Sequence, residues 1–322
     1  MKKIGIDGFL IGIVVAIFLA YFFPQAGLMQ KPFSLEDVAE IGIALIFFFY
    51  GLKLSFTDLK SGLSNWRMHL VIQITTFIYF PLLLLALKPF FLSEHAQQIW
   101  LGIFFLSALP SAVSSAVVLV SVAGGNVPAA IFNASLSSLM GIFITPLWVG
   151  LVISTTGQPI ETSDITTKLV MQVLLPAVLG LLLHNLFGAC VIARQNQLKR
   201  FDQSVLLTII YISFCKSFDK HIFNNFQWWE LVLLAVGMVV LFFSIRGMVY
   251  IVSRILNFNT ADRITVLFCG SKKSLMHGTV MAKVLFPASA SLGIIVLPLM
   301  IYHALQIILS SIIAQRLARK QK

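Results

Sequence analysis

The chain has 322 residues, of which 58% are hydrophobic and 11% charged, with a formal net charge of +11. A soluble domain carries about 25% charged residues, so this composition, at a mean hydropathy of +0.94, excludes a soluble globular class and describes a polytopic membrane protein. The positive balance is no nucleic-acid footprint, because its placement follows membrane topology. The three scattered cysteines, Cys190, Cys215 and Cys269, offer neither a disulfide framework nor a metal-binding spacing.

An apolar helix of about 20 residues crosses a bilayer. Met1-Lys2-Lys3 before an apolar run is reminiscent of a signal peptide, but the run from Ile6 to Phe23 is long and ends in Tyr-Phe-Phe-Pro, a poor cleavage site, so it reads as a span. Ten spans follow in order: 6–24, 38–56, 68–88, 96–123, 127–154, 165–187, 203–219, 228–254, 262–286 and 289–315. With the N-terminus in the cytoplasm, fifteen of the 23 Lys and Arg fall on the inner side, Arg246 and the basic tail from Arg316 to Lys322 among them. Five (Lys31, Lys88, Lys216, Lys220 and Lys283) fall outside, and Lys168, Lys272 and Lys273 stand apart. This bias fits the positive-inside rule with both termini cytoplasmic and an even number of spans. The expected location is the cell (inner) membrane, multi-pass, in contact with lipid.

Gly141-Ile-Phe-Ile-Thr-Pro146-Leu147 in span 5 and Gly293-Ile-Ile-Val-Leu-Pro298-Leu299 in span 10 share the pattern G-I-x-x-x-P-L, 152 residues apart. Five spans is an odd number, so the second half enters the membrane from the opposite side, which makes 6–154 and 165–315 an inverted-topology repeat within one membrane domain, 1–322. The fourth span of each half is interrupted. Span 4 carries Pro110, which removes a backbone donor, within Ser107-Ala-Leu-Pro-Ser-Ala-Val-Ser114-Ser115. Span 9 carries Gly270-Ser271-Lys272-Lys273-Ser274, with helix-weakening glycine and serine around two lysines. A charge at mid-bilayer costs at least ~2.5–3.5 kcal/mol, so such a segment is expected to line a wet cavity or bind something. Half-helix N-termini at the breaks carry partial positive charge, which with Lys272 and Lys273 suits an anion.

These stretches, with Gly124-Gly-Asn-Val-Pro-Ala-Ala-Ile-Phe-Asn133, Ile209 to Cys215, Phe268 to Leu275 and Val296 to Gln306, resemble the bile acid:sodium symporter family, in particular its sodium/bile acid cotransporter 7-like branch. The resemblance implies an all-α fold of ten transmembrane helices in two inverted five-helix repeats, with broken helices 4 and 9 crossing. It implies a panel of helices 1, 2, 6 and 7, a core of 3–5 and 8–10, and sodium-coupled uptake of organic anions by alternating access. One position departs from the family: a glutamate that serves the sodium sites in bile-acid-transporting members corresponds here to Phe268, and no carboxylate lies at mid-membrane. Two readings stay open. A sodium ion is held by hydroxyls, amides and carbonyls near Ser114, Ser115 and Asn133, or a lysine ammonium takes the place of a sodium.

The expected substrate and ion contacts are Gln73, Ser114, Ser115, Asn133, Ser137, Ser271, Lys272, Lys273, Ser274 and His277, with Pro110 and Gly270 as the helix breaks. Each has a plainer account. Lysines snorkel, serines bond the carbonyl four residues back, and Asn133 and Ser137, one turn apart, bond across helices. His277 follows Lys273 by four residues and shares its face, while Tyr302-His303 reads as structural. Gly124-Gly125 reads as a tight connection, not a phosphate loop. No Ser-His-Asp set, paired carboxylates or metal cluster accompanies the lysines, so the chain is not expected to be an enzyme, nor to hold a cofactor beyond sodium. The expected function is secondary transport of a small organic anion; the alternative is a non-transporting membrane regulator affecting calcium or cell-envelope processes. The sequence leaves substrate, coupling and oligomeric state open.

Overall fold

The computed structural model describes residues 8–29, 34–53, 65–155, 170–221, 227–286 and 292–320. Lys2, Lys3, Lys31, Lys60, Lys168 and Lys322, and both chain ends, lie outside the described residues. Among the described residues every regular element is helical: α1 (Gly8–Phe22), α2 (Pro24–Leu28), α3 (Leu35–Lys53), α4 (Trp66–Phe90), α5 (Glu94–Ala108), α6 (Val113–Val122) and α7 (Val127–Thr155), then α8 (Val170–Leu182), α9 (His184–Ala193), α10 (Gln195–Asp219), α11 (Trp228–Ile255), α12 (Thr260–Gly270), α13 (Leu275–Leu285) and α14 (Leu292–Lys320).

Four of these are long and apolar enough to cross a membrane: α4, Val127–Val152 of α7, α11, and Leu292–Arg319 of α14. Large apolar side chains such as Phe18, Leu147, Leu186 and Val240 are exposed along the helices, as they are where lipid replaces water. The protein is an all-α multi-pass membrane protein. Several expected spans take another form. The span expected at 165–187 ends at Leu182 and turns by 98° into α9, so α8 and α9 form a bent pair. The span expected at 203–219 begins earlier, at Gln195, and the spans expected at 96–123 and 262–286 are each divided into two half-helices.

The chain forms two compact units. The first is drawn from the described residues of Met1–Ser55, Glu161–Gln227 and Thr279–Val296. Its helices α3 and α8 touch backbone to backbone, because neither Gly51 nor Gly180 has a side chain. A Cβ on Gly180 would run into the Phe48 carbonyl, and one on Gly51 into that of Ala177, the close approach that small residues permit between membrane helices. His184 Nδ1 meets the Leu52 carbonyl at 2.8 Å near the end of α3. At the other end of α3 the Glu36 carboxylate pairs with Lys216 at 2.5 Å and Lys283 at 3.2 Å. Lys216 and Lys283 thus share one partner.

The second unit is drawn from Phe56–Ile160, Trp228–Gly278 and Leu297–Lys322. Its α4 contains a π-helical turn at Thr75–Tyr79, whose cause is Pro81. Lacking an N–H, Pro81 cannot bond the Phe77 carbonyl in α-register or the Thr76 carbonyl in π-register, while Phe80 N–H bonds Thr75. Trp148 Nε1 donates to the freed Phe77 carbonyl at 2.7 Å. The starts of α5 and α12 are capped by Ser93 and Asn259, which accept from Ala96 N–H at 3.1 Å and Asp262 N–H at 2.8 Å. Gly124, at φ 72°, makes the expected tight connection from α6 to α7.

Candidate functional site: two helix breaks that meet

Helix α5 stops at Ala108, two residues before Pro110, and α6 begins at Val113; α12 stops at Gly270 and α13 begins at Leu275. Each interruption leaves carbonyl and N–H groups without helical partners, and when buried these must be satisfied some other way. The two breaks do this for each other. Ser274 N–H donates to the Pro110 carbonyl at 3.0 Å, and Ser111 Oγ to the Cys269 carbonyl at 2.6 Å. Side chains from α7 close the first break: Ser137 Oγ accepts from Ser111 N–H at 2.9 Å, and Thr145 Oγ1 donates to the Ala108 carbonyl at 2.8 Å. Side chains from α14 close the second. Tyr302 OH donates to the Ser271 carbonyl at 2.8 Å. Gln306 grips both sides of Lys273, accepting from its N–H at 2.8 Å and donating to its carbonyl at 2.7 Å. Ser271 Oγ bonds the Leu267 carbonyl one turn back, at 2.6 Å.

Lys272 and Lys273 are both fully buried, and their side chains meet different surroundings. Lys273 Nζ donates to three main-chain carbonyls, Thr76 at 2.8 Å, Ser107 at 2.6 Å and Leu109 at 2.8 Å, with the ring of Phe80 4.3 Å away. Its three ammonium hydrogens are thus used within the protein, and it does not present its charge to an incoming anion as the sequence suggested. Lys272 Nζ has one hydrogen-bond partner among the described residues, Ser115 Oγ at 2.9 Å. Phe268 lies one helical turn before Lys272, and Arg246 of α11 stacks on its ring at 4.9 Å. One Arg246 guanidinium nitrogen, Nη1, is buried with no acceptor among the described residues. No acid pairs with either cation among the described residues. Asp262 at the start of α12 is engaged elsewhere, by the amides of Asn65, Asn126 and Asn259 at 2.8–2.9 Å.

Of the residues expected from sequence, Pro110, Ser115, Ser137, Gly270, Ser271, Lys272, Lys273 and Ser274 gather at the meeting of the breaks. His277 joins through Ser274, whose Oγ lies 3.0 Å from its Nδ1. Gln73 and Asn133 form a separate pair: Gln73 Nε2 lies 3.4 Å from both the Asn133 carbonyl and its Oδ1, and Asn133 Nδ2 lies 2.7 Å from His69 Nδ1. Gln73 Oε1 is buried without a partner among the described residues. The Ser114 side chain lies outside what is described. Sequence reasoning missed Arg246, counted as a topology charge, and Gln306, an amide deep in an apolar span. It also missed Thr76, whose freed carbonyl was signalled by Pro81.

A sodium ion near Ser114, Ser115 and Asn133 is not matched by these contacts. Ser115 Oγ already accepts from an ammonium, Asn133 is committed to Gln73 and His69, and no described contact joins the two. No group of three His, Cys, Asp or Glu capable of holding a metal occurs among the described residues.

Residues 7–319 match the SBF-like CPA transporter family. The chain is 39% identical to the uncharacterised protein PA2026 of Pseudomonas aeruginosa, covering 98% of this chain and 94% of that one. It is 33% identical to sodium/bile acid cotransporter 7 of Danio rerio, over 97% of this chain and 94% of the relative. To sodium/bile acid cotransporter 7 of Mus musculus it is 34% identical, over 95% and 91%. With a full-length family match and relatives above 30% identity along nearly their whole lengths, the chain belongs to the SBF-like CPA transporter family, a family of transporters and not of enzymes.

Proposed function

We propose that the protein is a secondary transporter that carries a small organic anion across the cell (inner) membrane by alternating access. The observation that carries this reading is the pair Lys272 and Arg246: a fully buried ammonium and a half-buried guanidinium whose Nη1 is buried, beside the meeting helix breaks, with no acid paired to either among the described residues. Buried charges are expensive unless compensated, and an anionic headgroup entering the site would compensate both. Ser115, Ser271, Ser274 and His277 supply hydroxyl and imidazole groups around the same breaks. The relatives named sodium/bile acid cotransporter 7 lend sodium coupling to the reading. Any such coupling uses oxygen atoms other than those already taken by Lys272 and Lys273, with Gln73 Oε1, which has no partner among the described residues, as the remaining candidate. Ten spans in two inverted five-span repeats, 6–154 and 165–315, with both termini cytoplasmic, complete the proposal. A regulator that senses a ligand without moving it has no observation of its own in its favour.

The test is ligand-induced thermal stabilisation of the detergent-purified protein, because a ligand that binds only the folded state raises its stability. The probes are taurocholate, a steroid sulfate and succinate. At least one stabilises wild type, and Lys272→Gln and Arg246→Gln each weaken its binding by about 10- to 100-fold, the loss of one charge-assisted hydrogen bond. Equal binding by wild type and both variants would remove the anion from this site.

A further inference from the structure

We propose that Lys273 is a tethered monovalent cation: its ammonium fills a cage of main-chain carbonyls that would otherwise hold an exchangeable small cation. Three features make the cage. The Thr76 carbonyl is freed by the π-turn and by Pro81, which has no N–H to give it. The Ser107 and Leu109 carbonyls are freed because α5 ends before Pro110. All three oxygens converge on one point at 2.6–2.8 Å from Nζ, with the face of Phe80 closing another side at 4.3 Å. Each of these four groups is the negative end of a dipole: two carbonyls at a helix C-terminus, one in a distorted turn, and the electron-rich face of an aromatic ring. Such unwound carbonyls and half-helix C-terminal ends coordinate cations in membrane transporters built with broken helices. No carboxylate among the described residues contributes, so a single positive charge satisfies the cage.

The lysine fits this role in number and in fixation. An ammonium has three donors for three acceptors, whereas a neutral amine has two and would leave one buried carbonyl unmet. Gln306 fixes the lysine main chain on both sides of the residue, which holds the stem that delivers the charge. A covalently held ion cannot leave to either side of the membrane. It keeps the two breaks and α4 together as a bound cation would, yet its site takes up and releases no ion during a cycle. Whatever gradient drives this protein, the driving ion does not exchange through this cage. The inference concerns the cage alone and does not depend on the substrate being an organic anion.

A lysine that merely plugs unsatisfied carbonyls would show the same contacts, and empty-cage rescue separates the two roles. Wild type, Lys273→Ala and Lys273→Met are purified in detergent. Their melting temperatures are compared in sodium, potassium, ammonium, methylammonium and choline chloride at constant ionic strength. The Ala variant vacates both stem and head, while Met keeps the stem and carries no charge. The expected result is a Lys273→Ala protein that melts lower than wild type in choline and recovers saturably in at least one small cation, a response absent from wild type and from Lys273→Met. Equilibrium binding of radioactive sodium or its competition by ammonium should then show one more cation site per chain in Lys273→Ala than in wild type. If the Ala variant folds only in a small cation and unfolds on exchange into choline, the cage is likewise supported. No greater cation response in Lys273→Ala than in wild type, an equal response in Lys273→Met, or failure to fold in every cation overturns the proposal.

Discussion

Replacing Gln306 by Met tests how the second helix break is held. The side chain is fully buried, and Met preserves its length and approximate volume, so what disappears is a set of hydrogen bonds. Two of them satisfy the main chain of Lys273, one at its N–H (2.8 Å) and one at its carbonyl (2.7 Å). A third reaches His303 Nδ1 at 3.0 Å. Each buried group left unmet costs about 1–3 kcal/mol, which gives about 2–6 kcal/mol for the two main-chain groups. Interhelical bonds in membrane proteins average only about 0.6 kcal/mol where the reference state finds other partners. Here the hydroxyls nearby are already committed, Ser271 Oγ to Leu267 and Tyr302 OH to Ser271, so the low end, about 2 kcal/mol, is the expected loss. Denaturant titration of the purified protein, followed by tryptophan fluorescence, reads it as a shifted midpoint at unchanged slope. A loss below about 0.5 kcal/mol, within the ordinary scatter of surface substitutions, would mean that Gln306 does not hold the break, and the reading of this region would be wrong.

Three other outcomes follow from particular contacts. Gly180→Ala forces a Cβ into the Phe48 carbonyl and should destabilise the α3–α8 contact by about 1–3 kcal/mol; an unchanged melting temperature would contradict the backbone-to-backbone packing. Gly141→Ala would bring a Cβ to 2.7–3.0 Å from the ring of Pro110, so it should displace the first break and impair substrate binding well beyond its effect on stability; equal losses of both would contradict this. Glu36, at the head of α3 and before the apolar run, has its pKa raised by burial but lowered more by Lys216 and Lys283, with a net shift downward. Its contribution to stability is therefore fully present above the unfolded carboxylate range, about 4.3, and is lost as pH falls through its depressed folded value. Glu36→Gln should flatten that acidic limb of the stability profile, and an identical limb in wild type and variant would refute the pairing.

Much of this arrangement was legible in the chain because its signals are local. Pro110 and Gly270 to Ser274 break their helices whatever surrounds them, and both interruptions fall where the residues put them. Apolar length located α4, α7, α11 and α14 to within a few residues. What could not be read was direction. Adjacent lysines on a helix point about 100° apart, and no local pattern says that Lys273 would find carbonyls 164 to 197 positions away while Lys272 found Ser115. Arg246 looked like a charge at a membrane edge; only its stacking on Phe268 brings it to the break. The 98° turn after Leu182 was equally hidden, since the apolar run continues through it.

The proposed transport of an organic anion rests on Lys272 and Arg246. The most direct measurement is counterflow of radiolabelled taurocholate, steroid sulfate and succinate in proteoliposomes loaded with the same unlabelled compound, for wild type, Lys272→Gln and Arg246→Gln. Saturable accumulation of at least one anion by wild type, lost or strongly weakened in both variants while their folding is retained, is the predicted result. Accumulation by wild type that both variants reproduce at full rate and affinity would contradict it.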